Sequence, residues 1–356
     1  MTQQMKAAVL YGQNDLRVQE YPIPEPGPNE VLLKIRACAI CGTDPKIIGP
    51  GWALNIDYGN FIPGHEYSGE VAKVGPGVTA FKVGDRVAIE THKGCGTCVN
   101  CLRGRYTICL NYGKKETGHR HYGFTVNGGF AQYAVNDIRT LYHIPDNISY
   151  AEAALVTTGG CVMNGIENVG GFMAGETVAV YGPGPIGLVA VNICKALGAT
   201  KVFLVGTRES RLEVGRRLGA DVTININEVE DSVAAIREMT DGRGVDLAIE
   251  TAGVAQSVQD CVEVVGRGGR ISFIGDPGKP VAINIKRFVL DDLKAAAVRG
   301  EGGANCGRVL ELMAAGKLQA KPLITHHFPL DEINEAFDTF VQRKGGAIKV
   351  IVEPWS

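Results

Sequence analysis

Thr177-Val-Ala-Val-Tyr-Gly-Pro-Gly-Pro-Ile-Gly-Leu188 decides how this chain folds. An apolar, β-branched run stops at Gly182, and Gly184 and Gly187 follow before an apolar, helix-like segment. This is the G-x-G-x-x-G pattern between a strand and a helix. Gly182 allows the tight turn, Gly184 lets backbone approach a pyrophosphate, and Gly187 lets the helix pack close to the strand. Pro185 and Ile186 open that helix, whose free N–H groups and partial positive charge suit phosphates. The stretch predicts a dinucleotide site.

Around it, from residue 156 onward, strands and helices alternate. Strand-like runs fall at 177–181, Val202–Val205, Val222–Ile226, Val245–Ile249 and Arg270–Ile274. Helix-like segments start near Pro185 and cover 209–218, Asp231–Met239 and Gln256–Val265. Such βαβ alternation requires a parallel sheet covered on both faces, a doubly wound α/β domain. At the end of the second strand, an acidic residue would hold the ribose 2′-OH of NAD. Here Val205 is followed by Gly206, Thr207 and Arg208, with Arg211 one helical step on. Two guanidinium groups can clamp a 2′-phosphate, which favours NADP over NAD; the bland alternative is a pair of solvated arginines.

The first 155 residues read differently. Short strand-like runs occur at residues 5–21, Val31–Ala37, Glu70–Val74, Arg86–Glu90 and Gly129–Val135, with Gly/Pro turns between them. That spacing predicts an antiparallel, barrel-like β domain. Beyond Ala282 come helix-like segments at Cys306–Gly316 and Pro329–Phe340 and a closing strand at Ala347–Val352, expected to rejoin the first domain. The division is therefore 1–155 completed by 300–356, with 156–299 inserted.

Ten cysteines are present, and four crowd together as Cys95, Cys98, Cys101 and Cys109. Four thiolates can close round one tetrahedral metal and leave no open position, the pattern of a structural site. An iron–sulfur cluster is the competing reading. Cys41 with the adjacent pair His65-Glu66 supplies sulfur, nitrogen and oxygen, the ligand mix of a catalytic zinc with an open position. Spacing alone leaves chance association of these three open. Gly118-His119-Arg-His121-Tyr122 reads first as a solvated polar loop and second as pocket or ligand residues. Trp52, Phe61, Tyr112, His119 and Tyr122 are candidates for lining a pocket.

Lysine and arginine (36) nearly balance aspartate and glutamate (38), so there is no electrostatic footprint for nucleic acid or an anionic membrane. No apolar stretch approaches the ~20 residues of a span. The opening Met-Thr-Gln-Gln-Met-Lys lacks a leader pattern, and the scattered thiols suit the cytoplasm.

Together Cys41-Gly-Thr-Asp44, Gly64-His-Glu66, the cysteine quartet and Gly182-Pro-Gly-Pro-Ile-Gly187 resemble the zinc-dependent medium-chain dehydrogenase/reductase family, the alcohol, polyol and threonine dehydrogenases. The resemblance implies a GroES-like β-barrel-type catalytic domain, completed by the C-terminal segment, with an inserted Rossmann domain and an active site in the cleft between. It implies two zinc ions per chain, a catalytic one at Cys41, His65 and Glu66 and a structural one at the quartet. Thr43 would begin the proton relay and Asp44 would orient His65. Where some relatives continue the relay through a histidine, this chain has Lys46. Where the family offers a further cysteine or carboxylate ligand, Thr157 or Thr158 stands, so that Glu66, Glu152 or Cys161 fills the place or the catalytic zinc is weakly held; Glu66 is the expected ligand. The implied activity is hydride transfer between a nicotinamide cofactor and a secondary alcohol or polyol, or the reverse carbonyl reduction. A zinc-independent, NADP-linked enone or quinone reductase is the alternative. The polar 112–122 loop points to a hydroxylated substrate, and the family to a homo-oligomer, tetramer or dimer.

Overall fold

A computed structural model describes residues 3–50 and 56–356; Trp52 lies outside the described residues. The chain divides into two compact units. One comprises Met1–Thr157, Gly300–Ala314 and Ile324–Ser356, the other Thr158–Arg299 and Ala315–Leu323.

The first unit begins with an antiparallel hairpin, β1 (Gln4–Gly12) and β2 (Asp15–Pro22), turned by Asn14 in the left-handed region. Its main sheet is built on β3 (Glu30–Ala39), β4 (Glu66–Val74) and β5 (Arg86–Ile89). Two-residue strands β6 (His92–Lys93) and β7 (Arg120–His121) pair with each other, and β8 (Tyr133–Asp137) and β9 (Leu141–His143) complete the N-terminal set. Strand β3 is the hub. Antiparallel β4 covers one edge of it, and β8 covers the Glu30–Lys34 half of the other. Its inward residues Leu33 and Ile35 meet Val71, Val87, Ile89 and Phe130 in one core. Each such side chain, fully buried, stabilises the fold by roughly 1.5–3 kcal/mol. The expected strand at Gly129–Val135 starts later, at Tyr133, because Gly129 and Phe130 are engaged with the turn ahead of His65: their N–H groups donate to Gly64 O (2.8 Å) and Pro63 O (3.1 Å).

The second unit holds six parallel strands: β10 (Thr177–Tyr181), β11 (Lys201–Gly206), β12 (Val222–Asn225), β13 (Val245–Glu250), β14 (Val265–Phe273) and β15 (Lys294–Ala297). Their spatial order is β12-β11-β10-β13-β14-β15, with every pairing parallel. This is the doubly wound order in which the chain reverses direction across the sheet at β10, and ligands bind beyond the strand ends at that switch. The central strands are apolar along nearly their whole length, as strands buried on both faces must be. Helices Val156–Asn168 and Ile285–Leu290 and strand β15 have no counterpart in the sequence reading. The first opens Val-Thr-Thr-Gly-Gly, too rich in β-branched residues and glycine to announce a helix.

The chain then returns to the first unit through β16 (Ile324–Pro329) and β17 (Lys349–Glu353), which pair parallel. The expected helix at 329–340 begins at Ile333, since Pro329 still belongs to β16. Strand β17 lies antiparallel on the free half of β3, Ile351 opposite Ala39 and Val352 opposite Cys38. Residues 315–323 stay with the second unit, where Gln319 N–H donates to Asn192 Oδ1 at 2.6 Å. No helix among the described residues is long and apolar enough to cross a membrane.

At the nucleotide turn Gly182 has φ +102°, and a Cβ on Gly187 would stand 1.9 Å from Gly182 O and 2.7 Å from Thr251 Oγ1. Gly187→Ala is therefore expected to destabilise the second unit by about 1–3 kcal/mol and to abolish dinucleotide binding. A thermal melt and nicotinamide fluorescence titration check it; unchanged binding would refute the close-packing role.

Candidate functional site

Cys41 leaves the end of β3 and begins a tight turn into the short helix Asp44–Ile48. The turn is closed from both sides: Cys41 N–H donates to Asp44 Oδ2 (2.8 Å), and Asp44 N–H donates to Cys41 O (3.1 Å). Pro45 then fixes the first helical turn. His65 and Glu66 arrive on the neighbouring strand, Glu66 directly opposite Ala39. Ahead of them Gly64 takes φ +90°, and a Cβ there would strike the Phe130 ring at 2.8 Å. The adjacency of β3 and β4 thus unites residues more than twenty positions apart.

The three candidate ligand atoms of Cys41, His65 and Glu66 lie within 4.8 Å of one another. Four ligands at 2.0–2.3 Å round a tetrahedral zinc are separated by about 3.3–3.8 Å, so a small closure suffices. Asp44 Oδ1 stands 3.0 Å from His65 Nδ1, which fixes the ring and leaves Nε2 for a metal or a proton. Burial pulls the His65 imidazole toward its neutral form, yet the Asp44 carboxylate and the Cys41 sulfur raise its proton affinity well above the ordinary value. The Thr43 hydroxyl is half-buried and 3.8 Å from Cys41 Sγ. Lys46 is exposed on the same helix.

One partner in this cluster is absent from the sequence reading. Lys349, the first residue of β17, is 2% exposed and forms a buried ion pair with Glu66 Oε2. Burial opposes its charge, but Glu66 first and Cys41 next more than restore it. The Cys41 sulfur, a His65 ring nitrogen and the Glu66 carboxylate, with Asp44 behind the histidine, make a donor set that a dication fits. The other candidates for the remaining ligand place behave differently. Glu152 closes a capping box with Ser149 at the start of the helix Tyr150–Ala153. Thr157 is buried, its hydroxyl without a hydrogen-bond partner among the described residues. Cys161 lies in the helix Val156–Asn168, within the second unit.

The cysteine quartet forms a second ligand group, its sulfurs likewise within 4.8 Å of one another. Cys95 and Cys101 sulfurs are 3.9 Å apart, as are those of Cys98 and Cys109: far beyond an S–S bond, and the edge length of a zinc–thiolate tetrahedron. Backbone N–H groups of Thr97, Cys98 and Cys101 point at the sulfurs. The Thr97 hydroxyl, with further donors behind it, draws the Cys95 thiol down to about 5, while burial pushes Cys101 up to about 12. Without a cation, four adjacent thiols cannot all ionise; a metal resolves the conflict.

The polar 118–122 segment is not the solvated loop its composition suggests. His119, His121 and Tyr122 are buried. The His121 ring stacks between His92 (3.8 Å) and Phe124 (3.7 Å), Phe124 reaches His65 (4.6 Å), and Tyr112 Oη meets His121 Nδ1 at 2.6 Å. Stacking on neighbouring rings takes these imidazoles inside, a tertiary effect that local polarity conceals. Phe61 and Tyr122 belong to the core. Glu301, which the sequence reading passed over, holds His92 Nδ1 at 3.1 Å and accepts from Thr91. Nearby Glu90 accepts from Tyr106 (2.5 Å) and Tyr142 (2.9 Å), and burial, then Glu301, pushes its carboxyl up to about 8.

In the second unit, Gly184 caps the helix Pro185–Ala196 in an extended conformation, and open space lies where its Cβ would be. Gly206 packs against Pro183, Thr207 and Arg208 are exposed, and Arg211 Nη1 donates to Pro183 O at 3.5 Å. A carboxylate does follow Arg208, at Glu209, but it pairs with Arg216 at 2.7 Å.

Two family models match the chain, an alcohol dehydrogenase GroES-like domain over residues 27–146 and a zinc-binding dehydrogenase over 185–315. Sorbitol dehydrogenase of Bacillus subtilis (strain 168) is 34% identical over 99% of this chain and 98% of that protein. L-Threonine 3-dehydrogenase of Pyrococcus furiosus is 37% identical over 97% and 96%. A Sinorhizobium meliloti 1021 protein described as a zinc-binding dehydrogenase, crystallised bound to NADP, has TM-score 0.90 and 28% identity, covering 99% of this chain and 100% of that one.

Cys98→Ser is expected to lower the metal content by one atom per chain and the melting temperature by several degrees, read by elemental mass spectrometry and calorimetry. Unchanged metal content would remove the quartet from the list of metal sites.

Proposed function

The chain belongs to the zinc-binding alcohol dehydrogenases, and from that premise we propose how its residues carry the reaction. It is a zinc-dependent oxidoreductase that moves a hydride between a nicotinamide cofactor and an alcohol or polyol. The observation that carries the site assignment is the convergence of Cys41, His65 and Glu66 with Asp44 behind His65. These three residues hold the catalytic zinc, and Cys95, Cys98, Cys101 and Cys109 hold the structural one. Bound zinc supplies Lewis acidity toward the substrate oxygen, and the nicotinamide takes or gives the hydride.

The chain's own residues do the rest. Asp44, its Oδ1 3.0 Å from His65 Nδ1, would hold the ring in one orientation and leave Nε2 for the metal. Thr43, half-buried beside Cys41, accepts the hydroxyl proton of the substrate and hands it toward solvent. Lys46, exposed on the helix that follows Thr43, stands where a relay histidine stands in some relatives. Gly182, Gly184, Pro185, Ile186 and Gly187 form the turn that receives the pyrophosphate at the helix N-terminus.

NADP is the preferred cofactor. Gly206 replaces the acidic ribose ligand, Thr207 and Arg208 present an exposed polar edge, and Arg211 stands beside Pro183. Glu209 is drawn away by Arg216. Nothing in the site favours the metal-free enone or quinone reductase. The substrate is a hydroxylated one, a secondary alcohol or polyol. Cysteines scattered along the chain outside the quartet suit a reducing compartment, the cytoplasm. The protein works as a homo-oligomer: β15 ends its sheet and is largely exposed, and Ile285, Val289 and Leu290 beside it are exposed apolar side chains.

The test of the reaction is hydride transfer from a panel of secondary alcohols, polyols and unbranched primary alcohols. Polyols or secondary alcohols should lead; rates rising steadily with unbranched chain length would overturn the substrate reading. Arg208→Ala with Arg211→Ala should raise KM for NADP about tenfold or more while leaving NAD within a few-fold. Equal losses with both cofactors would contradict the assignment.

A further inference from the structure

The glycine turn is short of donors. Pro183 and Pro185 carry no N–H, so Gly184, Ile186 and Gly187 supply the amides left to meet a pyrophosphate. The peptide between Gly182 and Pro183 has only a carbonyl oxygen to offer, and turned toward an anion that oxygen would repel it. Thr251, the first residue after β13, holds it. Its hydroxyl donates to Gly182 O and to Tyr181 O, both at 2.8 Å, and its N–H donates to Tyr181 O at 2.9 Å. The fit is close: a Cβ on Gly182 would stand 2.7 Å from Ala252 N, and one on Gly187 would stand 2.7 Å from Thr251 Oγ1. The loop that carries Thr251 is itself tied down, with Ala252 and Gly253 N–H donating to Oε1 of the buried Glu250 at 2.8 and 2.9 Å.

We propose that Thr251 is a positioning residue for the dinucleotide: its hydroxyl pins the Gly182 carbonyl and so sets the Gly184, Ile186 and Gly187 amides against the pyrophosphate. The proposal rests on the reading of Gly182–Gly187 as the pyrophosphate turn. Without the hydroxyl, Gly182 O loses the Thr251 donor. The backbone bond from Thr251 N–H to Tyr181 O and the β10–β13 ladder remain, so only the turn loosens. A loosened turn must be ordered when the cofactor binds, and binding weakens accordingly. The loss falls on ligands that carry a pyrophosphate. It spares ligands made only of the adenosine end, whose proposed contacts Thr207, Arg208 and Arg211 follow β11. A threonine that merely supported the fold would weaken both kinds of ligand alike.

The experiment measures dissociation constants on the full-length protein, by nicotinamide fluorescence for NADPH and by calorimetry for adenosine 2′-monophosphate, which has no pyrophosphate. Should the wild type hold NADH more tightly, NADH and adenosine are the pair compared. Thr251→Ser and Thr251→Ala both lack the γ-methyl and differ in one oxygen, so the contrast between them isolates the hydroxyl. Thr251→Ala should bind the dinucleotide about tenfold more weakly and the pyrophosphate-free ligand within about twofold of wild type. Its KM for the dinucleotide should rise by the same factor with no fall in kcat. Thr251→Ser should restore the dinucleotide affinity. If Thr251→Ala does not fold, Thr251→Cys, whose thiol is a weak donor, should show a smaller loss confined to the dinucleotide. Equal weakening of both ligands overturns the proposal, as does a dinucleotide held as tightly by folded Thr251→Ala as by Thr251→Ser. A wild type that holds the dinucleotide no more tightly than the pyrophosphate-free ligand removes the pyrophosphate reading itself, and the proposal with it.

Discussion

A lysine buried from solvent keeps its charge only if the fold brings it a counter-ion, and Lys349 has Glu66. The arrangement of the first unit follows from that requirement. Glu66 comes from the second strand of the sheet and Lys349 from the last strand of the chain, 283 residues later. The unit cannot be completed until the chain has gone out, built the nucleotide-binding unit and returned. Removing either partner would leave an uncompensated buried charge, a cost of roughly 3–5 kcal/mol. The ion pair is thus a constraint that sits directly on a proposed metal ligand. Stability of the unit and chemistry at the site share one carboxylate.

The division of labour between the units follows from their sheets. A parallel sheet buried on both faces supplies rigid strand ends and one switch point, and the glycine turn after β10 stands there. The first unit's sheet presents its candidate ligands from the ends and turns of β3 and β4, where the backbone is held by reciprocal hydrogen bonds through Asp44. Each site is therefore placed by regular structure at its back and closed by a short turn in front. Such support keeps ligating atoms in place without the metal itself having to organise them.

Much of this was legible in the residues because the signals were local. The strand before Gly182 and the helix after it need only neighbouring residues to declare themselves, and their bounds match the expected ones closely. The cysteine quartet is equally local, fifteen residues containing four thiols whose sulfurs lie within 4.8 Å of one another. Other features needed tertiary knowledge. Lys349 sits in Ala-Ile-Lys-Val-Ile-Val, which reads as a strand with one charge turned to water; only the position of β3 shows that the charge turns inward. His119, His121 and Tyr122 looked solvated because nothing nearby in sequence announces the ring stack of His92 and Phe124. Glu301 carries no signal, since its partner His92 lies 209 positions away. Strand β15, a lysine and three alanines at a sheet edge, is too short and too exposed for hydrophobic patterning to mark it.

The most direct test of the central claim, that a zinc sits among Cys41, His65 and Glu66 while Glu66 remains shared with Lys349, is crystallographic. Diffraction from the zinc-loaded protein, recorded just above and just below the zinc absorption edge, locates the metal independently of any refined ligand geometry. Two anomalous peaks per chain are expected, one within the cysteine quartet and one within bonding distance of Cys41 Sγ and a His65 ring nitrogen, with Lys349 Nζ still in contact with the Glu66 carboxylate. A single peak confined to the quartet, or a second peak with Lys349 swung away from Glu66, would contradict it.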